Sequence, residues 1–146
     1  MYVLTLHAQY STLGIIQSPG SYDDGWSFGV QFTHQENWLY YGPEVYVFPD
    51  LNNMDYYHLI GRFGLQKEWG KWDTKFKLFS GGRGGLIYRE SAGYTLLGLE
   101  AGLQFSYKNL YIMAAITTDN KTDSKRWGND SYHTVNSGII GIGIIL

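Results

Sequence analysis

The sequence predicts an all-β chain folded as an eight-stranded antiparallel up-and-down transmembrane β-barrel, and three observations carry that expectation. Apolar and polar residues alternate with a period of two through one segment after another, as in strands with two unlike faces. Those segments number eight. The stretches joining them alternate long and short, with no helix-period segment between them. Finally, the chain is rich in aromatic residues (17%) and glycine (19 of 146 residues) and poor in charge (16%). That composition suits a wall with lipid on one side and closely packed backbone on the other.

Residues 1–10 form the first expected strand, with Tyr2, Leu4, Leu6, Ala8 and Tyr10 set against Thr5, His7 and Gln9. Residues 11–25 contain Pro19, Gly20, Asp23, Asp24 and Gly25 and read as a long loop, although Ile15 and Ile16 could prolong the strand. Residues 26–33 alternate Trp26, Phe28, Val30 and Phe32 with Ser27, Gly29, Gln31 and Thr33, and 34–38 is a short polar turn. Residues 39–48 place Tyr41, Pro43, Val45 and Val47 opposite Tyr40, Gly42, Glu44, Tyr46 and Phe48. Pro43 is awkward there, since proline removes one ladder hydrogen bond.

A second long loop spans 49–57. Residues 58–69 then set Leu59, Gly61, Phe63, Leu65, Lys67 and Trp69 against Ile60, Arg62, Gly64, Gln66 and Glu68. After a tight turn at Gly70 and Lys71, residues 72–80 oppose Trp72, Thr74, Phe76, Leu78 and Ser80 to Asp73, Lys75, Lys77 and Phe79. The glycine-rich run 81–93 reads as the third long loop.

The clearest hairpin follows over 94–118. Leu97, Leu99, Ala101, Leu103, Phe105 and Tyr107 share one face, Gly98, Glu100, Gly102, Gln104 and Ser106 the other, and Lys108-Asn109 suffices to turn the chain. Leu110, Ile112, Ala114 and Ile116 continue the apolar face. A fourth long loop covers 119–133, and the last strand, 134–146, carries Gly138, Ile140, Ile142, Ile144 and Leu146 on one side.

Alternation alone leaves open which face points outward. A soluble lipocalin-like barrel would turn the apolar face inward around an apolar ligand. Three features favour lipid outside. Glycine recurs on the polar face, where a narrow interior needs small residues to interdigitate with large ones. The charges of that face nearly balance, Glu44, Glu68, Asp73 and Glu100 against Arg62, Lys75 and Lys77, as an enclosed interior requires. Aromatic residues gather towards strand ends as two girdles: Trp38, Tyr40, Tyr41, Trp69, Trp72, Tyr107 and Tyr111 at one, Tyr22, Trp26, Phe48, Tyr88, Tyr94, Trp127 and Tyr132 at the other.

Composition excludes several classes. The chain of 146 residues is one domain, residues 1–146, and its net charge of −2 does not suit a nucleic-acid binder. No run approaches the ~20 apolar residues of a membrane helix. Without cysteine there is no disulfide framework and no thiolate metal site. Met1 runs straight into Tyr2-Val3-Leu4-Thr5-Leu6, which is no signal peptide, so an envelope location carries the expectation that one was removed.

By this pattern the whole chain resembles the small eight-stranded bacterial outer-membrane barrels of the OmpX and OmpA transmembrane-domain type. The ending Ile139-Ile140-Gly141-Ile142-Gly143-Ile144-Ile145-Leu146 is similar to the terminal alternation of that family, with Leu146 where its members usually have an aromatic. The resemblance implies a bacterial outer-membrane location. An interior polar network of Glu44, Arg62, Glu68, Asp73, Lys75, Lys77, Glu100 and Gln104 is expected to fill the barrel rather than line a pore, since eight strands leave room only for side chains. Function then falls to the long loops, in binding, adhesion or docking to an envelope or extracellular protein. Tyr22, Lys121, Lys125, Arg126, Trp127 and Tyr132 are the expected contact residues, the cations suited to lipopolysaccharide phosphates. The protein is expected to be a monomer in outer-membrane lipid, with no cofactor and no metal.

Chemistry is harder to place. Outer-membrane lipid A deacylases resemble this chain in strand count and use a membrane-facing Ser-His-acid set, which makes a lipid A-modifying hydrolase the alternative through His133, Ser137 and Glu90. Four residues of strand separate His133 from Ser137 by about 13 Å, too far for a nucleophile and its base. The His-x-Ser-Asn motif of those enzymes is missing. His7, His34, His58 and His133 fall on four elements, residues 119–130 lack an EF-hand spacing for calcium, and the glycine run 81–85 opens no helix that could cradle phosphate.

Overall fold

The computed structural model describes residues 9–21, 25–49, 56–71, 73–89, 92–122 and 133–146. Eight strands form: β1 (Gln9–Ser21), β2 (Gly25–Glu36), β3 (Leu39–Val47), β4 (Tyr56–Lys71), β5 (Thr74–Arg89), β6 (Ala92–Tyr107), β7 (Leu110–Lys121) and β8 (His133–Ile145). Each pairs antiparallel with the next, and β8 pairs back onto β1, so the sheet closes in the order β1 to β8. Closure has a backbone cause. An open edge in lipid would leave a row of N–H and C=O groups with no water to bond.

Two hairpins show how local sequence sets register. Glu36 pairs Leu39 around Asn37-Trp38, and Tyr107 pairs Leu110 around Lys108-Asn109. The first turn residue has positive φ in both, 56° at Asn37 and 53° at Lys108. Such turns match the right-handed twist of the flanking strands. Pro43 leaves its mark in the ladder between β2 and β3, whose paired positions jump from Gln31↔Glu44 to His34↔Tyr41. On its other side Pro43 still pairs with Gly61 of β4.

Following the pairing round the cylinder from Lys75 leads through Ser106, Tyr111, Gly143, Gly14, Gln31, Glu44 and Ile60 to Gly85. The circuit returns to β5 ten residues beyond its start. That stagger tilts the strands, and with eight strands it fixes a bore that side chains can fill.

The faces divide as lipid-outside requires. Leu97, Leu99 and Ile116 are 73%, 68% and 70% exposed, while Glu100, next to Leu99 in the chain, is 3% exposed. Phe63, Leu65, Leu103, Ile112, Ile140 and Ile142 extend the apolar surface round the cylinder. A lipocalin-like barrel needs the opposite assignment, so that alternative falls. The interior is nonetheless not purely polar: Ile16, Ile60, Ile87, Leu96 and Phe79 are buried in it beside the ions.

Aromatic belts are present but thinner than the sequence suggests. Trp38, Tyr41, Trp69 and Tyr107 are exposed at the end with the two-residue turns. At the other end Trp26 meets Phe28 edge-on at 4.6 Å, and Tyr57 stacks on Tyr88 at 4.9 Å. Tyr40, Tyr111, Phe48 and Tyr94 belong to the interior instead. Trp72, Tyr22, Trp127 and Tyr132 lie outside the described residues.

Two expected long loops are largely strand. β1 runs Gln9–Ser21 and takes in most of 11–25; residues 1–8, where the strand was expected to begin, lie outside the described residues. β5 continues to Arg89 and β6 begins at Ala92, so the glycine run 81–85 is paired sheet. Glycine shows no face by its side chain, so alternation disappears there while pairing persists. Asp119, Asn120 and Lys121 likewise belong to β7. The remaining long connections are 48–55 and 122–132, both opposite the two-residue turns.

Candidate functional site

The most chemically organised part of the interior lies at mid-barrel, where β4 and β5 place two arginines side by side. Arg62 and Arg83 are direct cross-strand partners, both pointing inward and both 4% exposed. Like charges so placed repel. The sequence answers with a carboxylate on each flanking strand, Glu44 on β3 and Glu100 on β6.

Arg62 lies 2.8 Å from Glu44 Oε1 and 2.9 Å from Glu100 Oε1. Arg83 stands 3.4 Å from Glu44 Oε2 and 3.9 Å from Glu100 Oε2, with Asp119 Oδ1 3.2 Å from its Nε. Glu44 and Glu100 thus each bridge both cations. Arg62 also donates to Thr33 Oγ1 at 3.1 Å, and Tyr40 donates its hydroxyl proton to Glu100 Oε1 at 2.7 Å. The rings of Tyr40 and Phe79 lie 5.3 and 5.6 Å from the Arg62 guanidinium carbon. Burying four charges costs several kcal/mol for each ion, so only geometry this complete makes the cluster tolerable. It joins side chains from β2 to β7 across the bore.

The expected interior residues therefore separate into groups. Glu44, Arg62 and Glu100 meet in the central cluster. Lys77 and Gln104 are also buried, with Lys77 over the Phe79 ring and Gln104 donating to Ser106 Oγ at 3.3 Å. Glu68 and Lys75 form a half-exposed pair at 3.0 Å towards the turn end, where the Tyr10 hydroxyl also bonds Glu68. Asp73 is not interior. It occupies the β4–β5 turn and is exposed, because alternation counted back from Lys75 runs past the end of the strand.

Arg83 and Asp119 are not evident from the sequence because both lie in stretches whose composition reads as loop. A sign was present: Arg83 is the one charge in a five-residue run otherwise of glycine, and the position opposite it on β4 is Arg62. Among the expected loop contacts, Lys121 is the last residue of β7 and is buried in the interior, 4% exposed. Tyr22, Lys125, Arg126, Trp127 and Tyr132 lie outside the described residues. The Ser-His-acid set is not assembled on the lipid face, since Ser137 turns inward onto a cavity that it shares with His58 and Asp119. Glu90 and the His133 side chain lie outside the described residues.

A closed antiparallel cylinder of eight strands, apolar without and ion-paired within, defines the class of small outer-membrane-type β-barrels. Two solved structures share the architecture. The N-terminal β-barrel domain of OprF from Pseudomonas aeruginosa superposes with a TM-score of 0.63 over 96% of this chain and 99% of that one, at 8% identity. Neisserial surface protein A (NspA) gives 0.57 over 94% and 96%, at 12% identity. At such identities the likeness is one of fold. No protein-family model matches the sequence, and no curated protein sequence matches it.

Proposed function

We propose that this protein is a monomeric bacterial outer-membrane barrel that acts as an anchor rather than a pore, and that its work is done at the loop-bearing end. The observation that carries this reading is the Arg62–Glu44–Arg83–Glu100 cluster across the bore. With the interior filled, the role falls to the connections 48–55 and 122–132, since binding residues are disproportionately carried on loops held by a rigid scaffold. Binding, adhesion or docking to an envelope or extracellular protein is the role such connections fit. Tyr22, Lys125, Arg126, Trp127 and Tyr132 are the proposed contacts, with lipopolysaccharide phosphates a further partner for the cations.

The test has two arms. Purified protein in planar bilayers is expected to give no steady conductance, and replacing 123–131 with a glycine-serine linker is expected to abolish adhesion to host cells or capture of envelope partners without altering heat-shift on gels. Steady channels in the native protein, or undiminished binding after the replacement, would overturn the reading.

A further inference from the structure

We propose that the interior carries a second site, towards the loop end: a cavity that takes the terminal oxygens of a phosphate or sulfate group. The cavity lies where β1, β2, β3, β4, β5, β7 and β8 converge, opposite the two-residue turns. Its volume is about 30 Å³, room for about two waters. That size admits part of a tetrahedral oxyanion and leaves any attached organic portion outside.

The lining is strongly biased towards donors. Arg83 and Lys121 contribute cationic groups, and Ser18, Ser27, Thr117 and Ser137 contribute hydroxyls. Besides the ion-paired Arg83 and Asp119, the buried lining atoms Tyr46 Oη, His58 Nε2 and Thr117 Oγ1 make no hydrogen bond among the described residues. His58 is 3% exposed, and its ring is fixed by Phe48 at 4.6 Å and Tyr56 at 5.0 Å. Buried polar atoms without partners are costly, so their concentration round one cavity points to an occupant.

Among the described residues the lining is short of acceptors: Asp119 is its one carboxylate, and its Oδ1 already faces Arg83 Nε at 3.2 Å. A metal cation would meet two positive groups there. An oxyanion instead offers several acceptor oxygens to guanidinium, ammonium, hydroxyl and imidazole N–H groups, and charge-assisted bonds to such anions are short and strong. Both a free anion and a phosphomonoester lipid headgroup share this chemistry.

The experiment uses the whole protein folded in octyl glucoside micelles, with the His58 imidazole resonances followed by NMR. Sodium phosphate replaces sodium chloride at constant ionic strength, because exposed charge effects alone would follow the salt. A saturable shift with phosphate and with sulfate is expected. Lys121→Gln should weaken it about tenfold, Thr117→Val should also weaken it, and Lys75→Gln, at the other end of the barrel, should leave it unchanged. In vesicles, a response to phosphatidic acid in phosphatidylcholine, absent in phosphatidylcholine alone and without added phosphate, would identify a lipid headgroup as the source. A response to free phosphate in plain phosphatidylcholine would identify a solute. Should Lys121→Gln fail to fold by heat-shift gel, the Thr117→Val comparison stands alone. No saturable shift with any probe, or equal affinity in native protein and both cavity variants, would overturn the site and leave the cavity to water. Neither result bears on whether the loops bind a partner.

Discussion

Tyr40 and Glu100, sixty residues apart in the chain, are joined across the bore by a 2.7 Å hydrogen bond. That bond ties the short strand β3 to the long β6, which are not neighbours in the sheet. It also fixes one oxygen of the carboxylate that Arg62 grips. Tyr40→Phe keeps the ring on Phe79 (5.6 Å, edge-on) and removes the donor. The expected loss is about 1.5–3 kcal/mol, the value of a hydrogen bond to a charged group. Urea unfolding from lipid vesicles measures it, and an unchanged midpoint would mean the bond adds nothing.

The same tyrosine depends on missing side chains. A Cβ on Gly64 would stand 2.6 Å from the Tyr40 hydroxyl and 2.6 Å from Gly81 Cα. Gly64→Ala must therefore displace Tyr40 or part the strands. It is expected to cost about 1–3 kcal/mol by overpacking, whereas Gly93→Ala, with nothing within 4 Å, should lose far less.

Removing two members of the central cluster should hurt less than the two single removals added together. Arg62→Leu leaves Glu44 and Glu100 facing only the more distant Arg83, and Glu100→Leu leaves Arg62 with Glu44 alone. Each single change is expected to cost about 3–5 kcal/mol, because a buried charge loses its partner. The double variant should cost clearly less than the sum, read as a coupling free energy in a double-mutant cycle. Strict additivity would show that the two charges do not stabilise one another.

Outside, the position along the wall should set the cost of a charge. Leu99 and Leu103 flank Ala101 near the middle of β6, and Tyr107 closes that strand at the turn. Arginine at Leu99 is expected to destabilise by about 2–4 kcal/mol, and at Tyr107 by about 0–1 kcal/mol. Equal effects at the two depths would refute the placement of the lipid band.

The turn at Lys108 offers a gain. Its φ of 53° strains a lysine and suits glycine. Lys108→Gly is expected to raise stability by up to about 1 kcal/mol, seen as a higher urea midpoint. A fall would mean that the Lys108 side chain, 5.5 Å over the Tyr107 ring, contributes more than its backbone strain costs.

Much of this architecture is legible in the chain because a strand reports its own faces. Leu99 beside Glu100, and Phe105 beside Ser106, already say which side meets lipid once charge pairing is considered, and the two-residue turn at Lys108-Asn109 sets the register of its hairpin. The number of strands, their antiparallel order and the need to close follow from such local signs.

Strand ends and interior partners follow from none of them. Gly81 to Gly85 carry almost no side-chain signal, yet β4 on one side and β6 on the other supply hydrogen-bonding partners and carry the strand through them. Arg83 and Asp119 enter the interior by the same cause, and Asp73 leaves it because its strand has already ended. The sequence by itself determined what each face is made of, since a side chain's direction alternates residue by residue. Tertiary structure alone decided which ions meet, since the ten-residue stagger of the closed cylinder is a property of all eight strands together and brings Glu44, Arg62, Arg83 and Glu100 to one height.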